Sequence, residues 1–146
     1  MPSFTRNINL ISRCGNVYRA DGLADSGLSA AHYFYILAIC NHPDISQDQL
    51  ARLLYLNKSS VTRAITVLEG DGFVERVPHA EDKRVTLLRP TEKALALVPR
   101  VREVARGWNQ FLLSDLADEE REIFLSTLEK VSAKAQSYID ERGGTE

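Results

Sequence analysis

Apolar residues in the N-terminal segment recur at steps of three and four, which is the spacing of one face of an α-helix. Two such stripes are present: Phe4, Ile8, Ile11, Gly15 and Tyr18, and Leu10, Cys14 and Val17. This pattern predicts a helix over about Thr5–Arg19 with apolar residues on two sides. We expect one side to pack on the chain's own core and the other to contact a partner chain.

Residues that favour helix N-termini divide the next segment into three helices. The predicted helices are Ala30–Asn41 after Ser29, Gln47–Leu54 after Ser46, and Lys58–Glu69 after Asn57. Ser46 and Gln49 have the spacing of a capping box, in which each side chain accepts a hydrogen bond from the other residue's backbone N–H. Gly70 and Gly72 end the third of these helices.

Two runs of apolar and β-branched residues follow, Phe73–Val77 and Val85–Leu88, and they predict the strands of a hairpin. The polar segment between them, Pro78–Arg84, predicts a long and exposed tip. Pro90 closes the hairpin, and Thr91 is placed to cap another helix.

The rest of the chain predicts two long helices, which join near Ser114–Asp118. Their apolar stripes are Leu95, Val98, Val101, Ala105, Trp108 and Leu112 in the first helix, and Phe124, Leu128, Val131, Ala135 and Tyr138 in the second. Two short capped helices followed by a polar-tipped hairpin form a winged helix-turn-helix. The predicted fold is therefore mainly α with a small β-hairpin wing and long helices at both termini.

The helix predicted over Lys58–Glu69 has two chemically different faces. Its apolar face contains Val61, Ile65 and Leu68, and its polar face contains Lys58, Ser59, Thr62, Arg63 and Thr66. The major groove of DNA admits one helix, small hydroxyl residues allow close approach, and Arg63 suits a phosphate or a guanine edge. A solvated surface helix has the same pattern. The capped helix before it and the basic hairpin after it favour DNA binding.

The hairpin tip contains Asp82-Lys83-Arg84. An arginine at this position suits a narrow minor groove, where A·T-rich DNA concentrates negative potential. Asp82 would then hold Arg84 or the loop backbone in place. The alternative is a plain charged turn.

Composition changes this picture little. The chain has 146 residues, of which 44% are hydrophobic and 26% charged, as in an ordinary globular domain. The net charge of -2 argues weakly against nucleic-acid binding, but acidic residues concentrate between 115 and 122 and leave room for a basic face elsewhere. No apolar run is long enough for a membrane span and no signal-peptide pattern is present, so we expect a cytoplasmic protein.

Residues 46–93 resemble the MarR family of bacterial winged helix-turn-helix transcriptional regulators. The matching motifs are Asn57-Lys58-Ser59-Ser60-Val61-Thr62-Arg63, Leu68-Glu69-Gly70-Asp71-Gly72-Phe73-Val74-Glu75-Arg76 and the wing signature Asp82-Lys83-Arg84. Arg89-Pro90-Thr91-Glu92-Lys93 resembles the family's junction between strand and helix, from which Pro90 departs. The order of the helices also fits, so the resemblance covers nearly the whole chain.

The resemblance implies a homodimer that binds a palindromic operator in double-stranded DNA, usually as a repressor. It implies one domain over 1–146, with a DNA-binding lobe at about 29–92 and dimerisation helices at about 4–22 and 92–141. The predicted DNA-contacting residues are Ser46, Asn57, Lys58, Ser59, Ser60, Thr62, Arg63, Thr66, Arg76, Asp82, Lys83 and Arg84.

Many relatives release DNA when a small aromatic or phenolic effector binds between the dimer helices and the lobe. The residues predicted to line such a pocket are Arg13, His32, Tyr33 and Trp108. Aromatic residues at helical spacing are, however, more often core residues. Another branch of the family senses peroxides through a cysteine in the first helix, for which Cys14 is the candidate. Its flanking residues differ from that branch's pattern and favour an inert buried thiol.

Other classes of function find little support. The chain has no phosphate-binding loop, no nucleophile elbow and no metal-ligand spacing, so we expect no enzyme activity, no cofactor and no metal. The remaining alternative is a winged helix that binds proteins, which would expose apolar anchors on its recognition helix or wing. Those surfaces are polar and basic here, which favours DNA.

Overall fold

Residues 2–143, the part of the chain that the computed structural model describes, contain six α-helices, one short 3-10 helix and three short strands. The 3-10 helix, Ala30–His32, forms the first turn of the segment predicted as one helix over Ala30–Asn41. The helices are α1 (Pro2–Gly22), α2 (Tyr33–Asn41), α3 (Gln47–Leu54), α4 (Lys58–Gly70), α5 (Glu92–Leu113) and α6 (Asp118–Asp140), and the strands are β1 (Ile45–Ser46), β2 (Val74–Pro78) and β3 (Thr86–Pro90). The predicted fold class is confirmed. Residues 1 and 144–146, which the single-domain prediction includes, lie outside the described residues.

Side-chain caps define the starts of α3, α4 and α5. The Ser46 hydroxyl accepts from the Gln49 N–H at 3.1 Å, and the Gln49 side chain accepts from the Ser46 N–H at 2.9 Å. The Asn57 side chain accepts from the Ser60 N–H at 2.7 Å, and Thr91 caps α5 in the same way. Each cap satisfies a backbone N–H that no carbonyl of the helix reaches. These three predicted caps are confirmed, and the fourth, Ser29, accepts from the Ala31 N–H at 3.3 Å at the start of the 3-10 helix.

The sheet contains one strand that the sequence pattern did not predict. β1 pairs antiparallel with β3, with Ile45 opposite Leu88, and the strand order is β1-β3-β2. Two residues are too few to show the alternating pattern of a strand, so β1 could not be predicted from the sequence. It is a strand because it pairs with β3. The hairpin also extends further than predicted, because Pro90 pairs with Val74 as the last residue of β3.

One buried cluster joins α2, α3, α4, the sheet and the first half of α5. Its largest fully buried side chains are Phe73, Ile36, Ile39, Leu50, Ile65, Leu68, Leu88, Val61, Val74 and Val101. Burial of one such side chain stabilises the fold by about 1.5–3 kcal/mol. Because Val61, Ile65 and Leu68 all belong to this cluster, the opposite face of α4 is turned to the outside.

The outer helices leave large apolar side chains uncovered. α5 buries Ala94, Val98 and Val101, whereas Leu95 and Leu112 of its predicted stripe are 51% and 38% exposed. No residue of α6 is buried within this chain. The exposed set on these helices and α1 includes Phe4, Ile8, Leu10, Ile11, Val17, Phe111, Leu112, Ile123, Phe124, Leu125, Val131 and Tyr138. Between residues 2 and 143, no helix has both the length and the apolar character that a membrane span requires.

Glycines allow α1 and α5 to approach each other closely. A Cβ atom on Gly107 would lie 2.7 Å from the Tyr18 hydroxyl, and one on Gly15 would lie 3.0 Å from Nε1 of Trp108. Arg100 strengthens the contact, because its Nε donates to the Gly22 carbonyl at the C-terminus of α1 at 2.9 Å. The N-terminal helix is thereby attached to the C-terminal part of the chain.

Candidate nucleic-acid interface

The outer face of α4 carries polar and basic side chains that are exposed to solvent. Ser59 and Arg63 are exposed, and Arg63 Nη2 lies 3.4 Å from the Ser60 hydroxyl. Lys58 Nζ lies 3.7 Å from Oδ1 of Asp48, but both side chains are more than half exposed. An ion pair this exposed contributes at most about 1 kcal/mol. Lys58 and Arg63 are therefore free to exchange these contacts for DNA.

The two threonines on this face already use their hydroxyl groups. Thr62 donates to the Lys58 carbonyl at 2.9 Å and accepts from Nε2 of Gln47 at 3.2 Å. Thr66 donates to the Thr62 carbonyl at 2.9 Å. A hydroxyl has one proton to donate. Neither threonine therefore keeps a donor for a base in this arrangement.

Two other predicted contact residues act as caps. Asn57 is exposed at the start of α4 and accepts from the backbone of Ser60 and from the hydroxyl of Ser59 at 2.9 Å. Ser46 is 9% exposed and its hydroxyl is occupied by the α3 capping box. The structure thus places Ser46 beneath the surface, where it sets the position of the α3 N-terminus.

Arg76 lies on β2 and its guanidinium points into the helix-turn-helix. Its Nε donates to Oε1 of Gln47 at 3.0 Å, and its Nη1 donates to Oε1 of Glu69 at 3.0 Å. Its Nη2 donates to the Thr66 hydroxyl at 3.0 Å and to the Thr62 carbonyl at 3.4 Å. The structure therefore surrounds this predicted DNA contact with protein acceptors.

The hairpin tip holds Arg84 outward. Oδ1 of Asp82 accepts from the backbone N–H of Arg84 at 3.0 Å and from its Nε at 3.3 Å, which is the arrangement expected for this pair. The Arg84 side chain is nevertheless 92% exposed. Lys83 beside it is exposed as well. Asp82 thus reduces the number of directions that Arg84 samples without covering its outer guanidinium nitrogens.

His79 shapes the tip, although sequence reasoning did not assign it this role. Its Nδ1 accepts from the backbone N–H groups of Glu81 and Asp82, each at 3.2 Å. A histidine in a polar hairpin tip has no pattern that distinguishes a structural acceptor from a solvated side chain. Its role depends on the loop folding back over the ring.

A groove of about 660 Å³ separates the wing from the N-terminal end of α3. Its lining includes Asp48, Arg52, His79 and Arg84. The groove runs between two elements that carry predicted DNA contacts, so its walls belong to the same candidate interface. The described residues contain no group of three or more His, Cys, Asp or Glu side chains arranged to hold a metal ion.

Two of the residues predicted to line an effector pocket, Arg13 and His32, lie apart from the other two, Tyr33 and Trp108. His32 lines an apolar cleft of about 330 Å³ between α2 and α4 and lies edge-on to Tyr35. Arg13 is exposed on α1. Tyr33 instead lies under the Arg19 guanidinium, 4.6 Å from its carbon to the ring centroid.

Arg19, which the sequence did not single out, links Tyr33 to Trp108. Its Nη1 and the Trp108 Nε1 each lie 3.0 Å from the point where a Cβ on Gly15 would stand. Its Nη2 donates to Asn16 at 2.7 Å, whereas its buried Nε has no hydrogen-bond acceptor among the described residues. Tyr33, Trp108 and Arg19 therefore form a polar-aromatic cluster where α1, α2 and α5 meet.

The fold and this surface define a winged helix-turn-helix protein of the DNA-binding class. The MarR family model matches residues 26–85. A curated relative, the HTH-type transcriptional regulator YybA of Bacillus subtilis strain 168, whose role is uncharacterised, is 29% identical over 131 residues, which are 90% of this chain and 87% of the relative. Over the helix-turn-helix and the wing, the chain thus resembles the MarR family of DNA-binding transcriptional regulators.

Solved structures share the fold over almost the whole chain. A MarR transcriptional regulator from Methanosarcina mazei Go1 has a TM-score of 0.88 and 23% identity over 95% of this chain and 100% of that one. A putative MarR family regulator from Listeria monocytogenes, solved in complex with 26mer DNA, has a TM-score of 0.84 and 23% identity over 98% of this chain and 97% of that one. These similarities extend the family fold beyond residues 26–85 to the outer helices.

Proposed function

We propose that the protein is a homodimeric repressor that binds a palindromic operator. In this proposal α4 enters the major groove, Arg84 of each wing enters the adjacent minor groove, and the N-terminal end of α3 faces the phosphates. The observation that carries the proposal is the exposed guanidinium of Arg84, which Asp82 holds at the tip of the wing, across a groove from the N-terminal end of α3. A held arginine loses less side-chain entropy when it binds than a freely rotating one does.

The dimer is inferred from the uncovered apolar faces of α1, α5 and α6. Monomeric proteins rarely leave so much contiguous apolar surface in water, and a second copy of the same chain would cover it. A two-fold axis through these helices would present two α4 helices to half-sites about one turn of DNA apart. The Listeria neighbour, solved in complex with 26mer DNA, supports DNA binding by this fold.

The experiment is a titration of the purified protein against a labelled duplex from its own upstream region and against a scrambled duplex, across a series of salt concentrations. We expect a preference for the upstream duplex and a steep loss of affinity as salt rises, since each phosphate contact releases counterions. Equal binding to both duplexes would contradict operator recognition. Binding that ignores salt would contradict the proposed phosphate contacts.

Arg84→Ala should lower operator affinity by about tenfold and reduce the slope of log affinity against log salt by about one. The wild-type dimer should be retained, because Arg84 contacts only the tip of the wing. Arg6→Ala is the matched control, since it removes the same charge from α1, outside the winged helix. Equal affinities for the Arg84→Ala and Arg6→Ala variants would exclude the wing from the interface.

A small aromatic effector is proposed to bind at the cluster of Arg19, Tyr33 and Trp108. The guanidinium of Arg19 lies over the Tyr33 ring and its Nε has no acceptor among the described residues, which suits a carboxylate attached to an aromatic ring. Trp108 is the single tryptophan of the chain, so its fluorescence reports this place alone. We expect benzoate to quench it saturably and cyclohexanecarboxylate, which has the same charge without the aromatic ring, to do so more weakly. No saturable change with benzoate would contradict the site.

Regulation through Cys14 is the second candidate, because the side chain is exposed and not buried as the inert-thiol alternative expected. Burial raises the pKa of the Cys40 thiol, and nearby Arg102 only partly opposes this. Cys40 therefore has less thiolate at a given pH than an ordinary cysteine does. We expect iodoacetamide to label Cys14 well before Cys40, as followed by peptide mass spectrometry near neutral pH.

A redox role for Cys14 also requires that its oxidation changes DNA binding. Treatment with hydrogen peroxide should lower operator affinity of the wild-type protein and leave that of Cys14→Ser unchanged, with Cys40→Ser as the matched control. Unaltered affinity in the oxidised wild-type protein would dismiss Cys14 as a sensor.

A further inference from the structure

Arg76 connects three elements of the helix-turn-helix through one side chain. Its four side-chain hydrogen bonds join β2 to Gln47 on α3 and to Thr62, Thr66 and Glu69 on α4. The backbone N–H of Arg76 also donates to Oε2 of Glu69 at 3.2 Å. The guanidinium has five N–H groups, so most of its donors are already used.

We propose that Arg76 is a positioning residue for operator recognition and that it does not contact DNA. The three bonds to α4 fix the rotation of that helix about its axis and its distance from the strand that carries the wing, and the fourth bond ties the same guanidinium to α3. This inference rests on the proposed DNA-binding function. We name the side-chain network of Gln47, Thr62, Thr66, Glu69 and Arg76 the clasp. Its role is to give the protein its preference for the operator over other DNA.

The charge balance within the clasp supports this role. Glu69 lies 3.0 Å from the guanidinium and compensates its charge, and the two side chains are only 26% and 42% exposed. An arginine paired in this way attracts phosphate weakly, whereas the exposed Lys58 and Arg63 have no carboxylate closer than 3.7 Å among the described ion pairs. Phosphate binding would require Arg76 to lose bonds that already hold it in place.

The clasp also narrows the set of residues that read bases. Thr62 and Thr66 donate their hydroxyl protons to backbone carbonyls and accept from Gln47 and Arg76. Base recognition on α4 is therefore assigned to Arg63 as donor and to Ser59 as acceptor only, since the Ser59 hydroxyl already donates its proton to Oδ1 of Asn57. These two side chains would be aimed by a network that lies behind them.

The variant that separates the two roles is Glu69→Ala. If Arg76 contacts phosphate, removal of its carboxylate partner frees the guanidinium and raises affinity for DNA. If Arg76 positions α4, the same change loosens the helix and lowers operator affinity by about tenfold, the size of one charge-assisted hydrogen bond. The two roles thus predict effects of opposite sign.

Glu75→Ala is the matched control, because it removes the same charge from the neighbouring position of β2, outside the clasp. Affinity is measured for the operator and for a scrambled duplex over a salt series, with circular dichroism to confirm folding. We expect Glu69→Ala and Gln47→Ala to lower the preference for the operator while the salt slope stays at the wild-type value, and Glu75→Ala to keep the preference. A structural role unrelated to recognition would lower thermal stability without changing the preference.

Higher operator affinity of Glu69→Ala, or an unchanged preference in both clasp variants, would overturn the inference. The inference would also be overturned if Arg76→Ala folds and its slope of log affinity against log salt is smaller than the wild-type slope by about 0.9. A decrease of that size is expected when one phosphate contact is lost. If the wild-type protein itself shows no preference for any upstream duplex, the proposed function fails, and the wild-type titration reports this separately.

Discussion

Arg63→Ala is expected to cost about 1–3 kcal/mol of operator binding and to relax the choice of base at one position in each half-site. Arg63 is exposed on the outer face of α4, and its one described contact is the 3.4 Å approach of Nη2 to Ser60. Its remaining donors are free to form two parallel bonds to a guanine edge. Lysine at this position keeps the charge but cannot form that fork.

The measurement is a competition assay against duplexes with each base pair of the half-site changed in turn. Arg63→Ala should lose discrimination at one base pair, whereas Lys58→Ala, the matched control on the same face, should weaken all duplexes equally and reduce the salt slope by about one. If Arg63→Ala lowers the affinity for all duplexes equally, Arg63 contacts the phosphate backbone and not a base. Arg63→Lys should resemble the alanine variant in specificity and the wild type in salt slope.

Val131→Asp is expected to convert the protein from a dimer to a 16.4 kDa monomer and to abolish operator binding at concentrations where the wild type is saturated. Val131 lies in the middle of the apolar stripe of α6, and no residue of α6 is buried within its own chain. If the second copy covers this stripe, a carboxylate there is buried without a partner, which costs several kcal/mol. Loss of one half-site then removes half of the DNA contacts.

Leu53→Asp on α3 is the matched control for this variant. The two side chains are similarly exposed in the chain, 45% for Leu53 and 40% for Val131, and both substitutions add one negative charge. Sedimentation equilibrium should give a dimer for Leu53→Asp and a monomer for Val131→Asp. A dimer in both cases would place the interface away from the α6 stripe, and a wild-type monomer would remove the basis for a two-fold operator.

Local chemistry was sufficient to predict the helix-turn-helix. Ser46, Asn57 and Thr91 were assigned as caps because an oxygen at these places satisfies nearby backbone N–H groups, and this requirement involves only residues within one turn. The apolar spacing of Val61, Ile65 and Leu68 determined which side of α4 is buried. The position of Asp82 two residues before Arg84 also made their hydrogen bond foreseeable, because both partners lie in one short loop.

Contacts between segments that lie far apart in the chain could not be predicted in this way. β1 is strand only because β3 lies beside it, and the stripe of α5 was misplaced at Leu95 because the lobe covers only part of that helix. Arg76 matched a motif and was therefore predicted to contact DNA, but Gln47, 29 positions earlier, and Glu69 surround it in space. Arg19 was overlooked because its aromatic neighbours, Tyr33 and Trp108, lie on other helices.

Sequence reasoning predicted most of the elements, their caps, the buried face of α4 and the family resemblance, because each depends on residues close together in the chain or on an ordered set of motifs. Only the folded chain shows which polar side chains of the lobe remain free for DNA and which are used to hold α4. Each N–H or O–H group donates to few acceptors at once. Which acceptors lie within hydrogen-bond distance of it depends on how distant segments pack together.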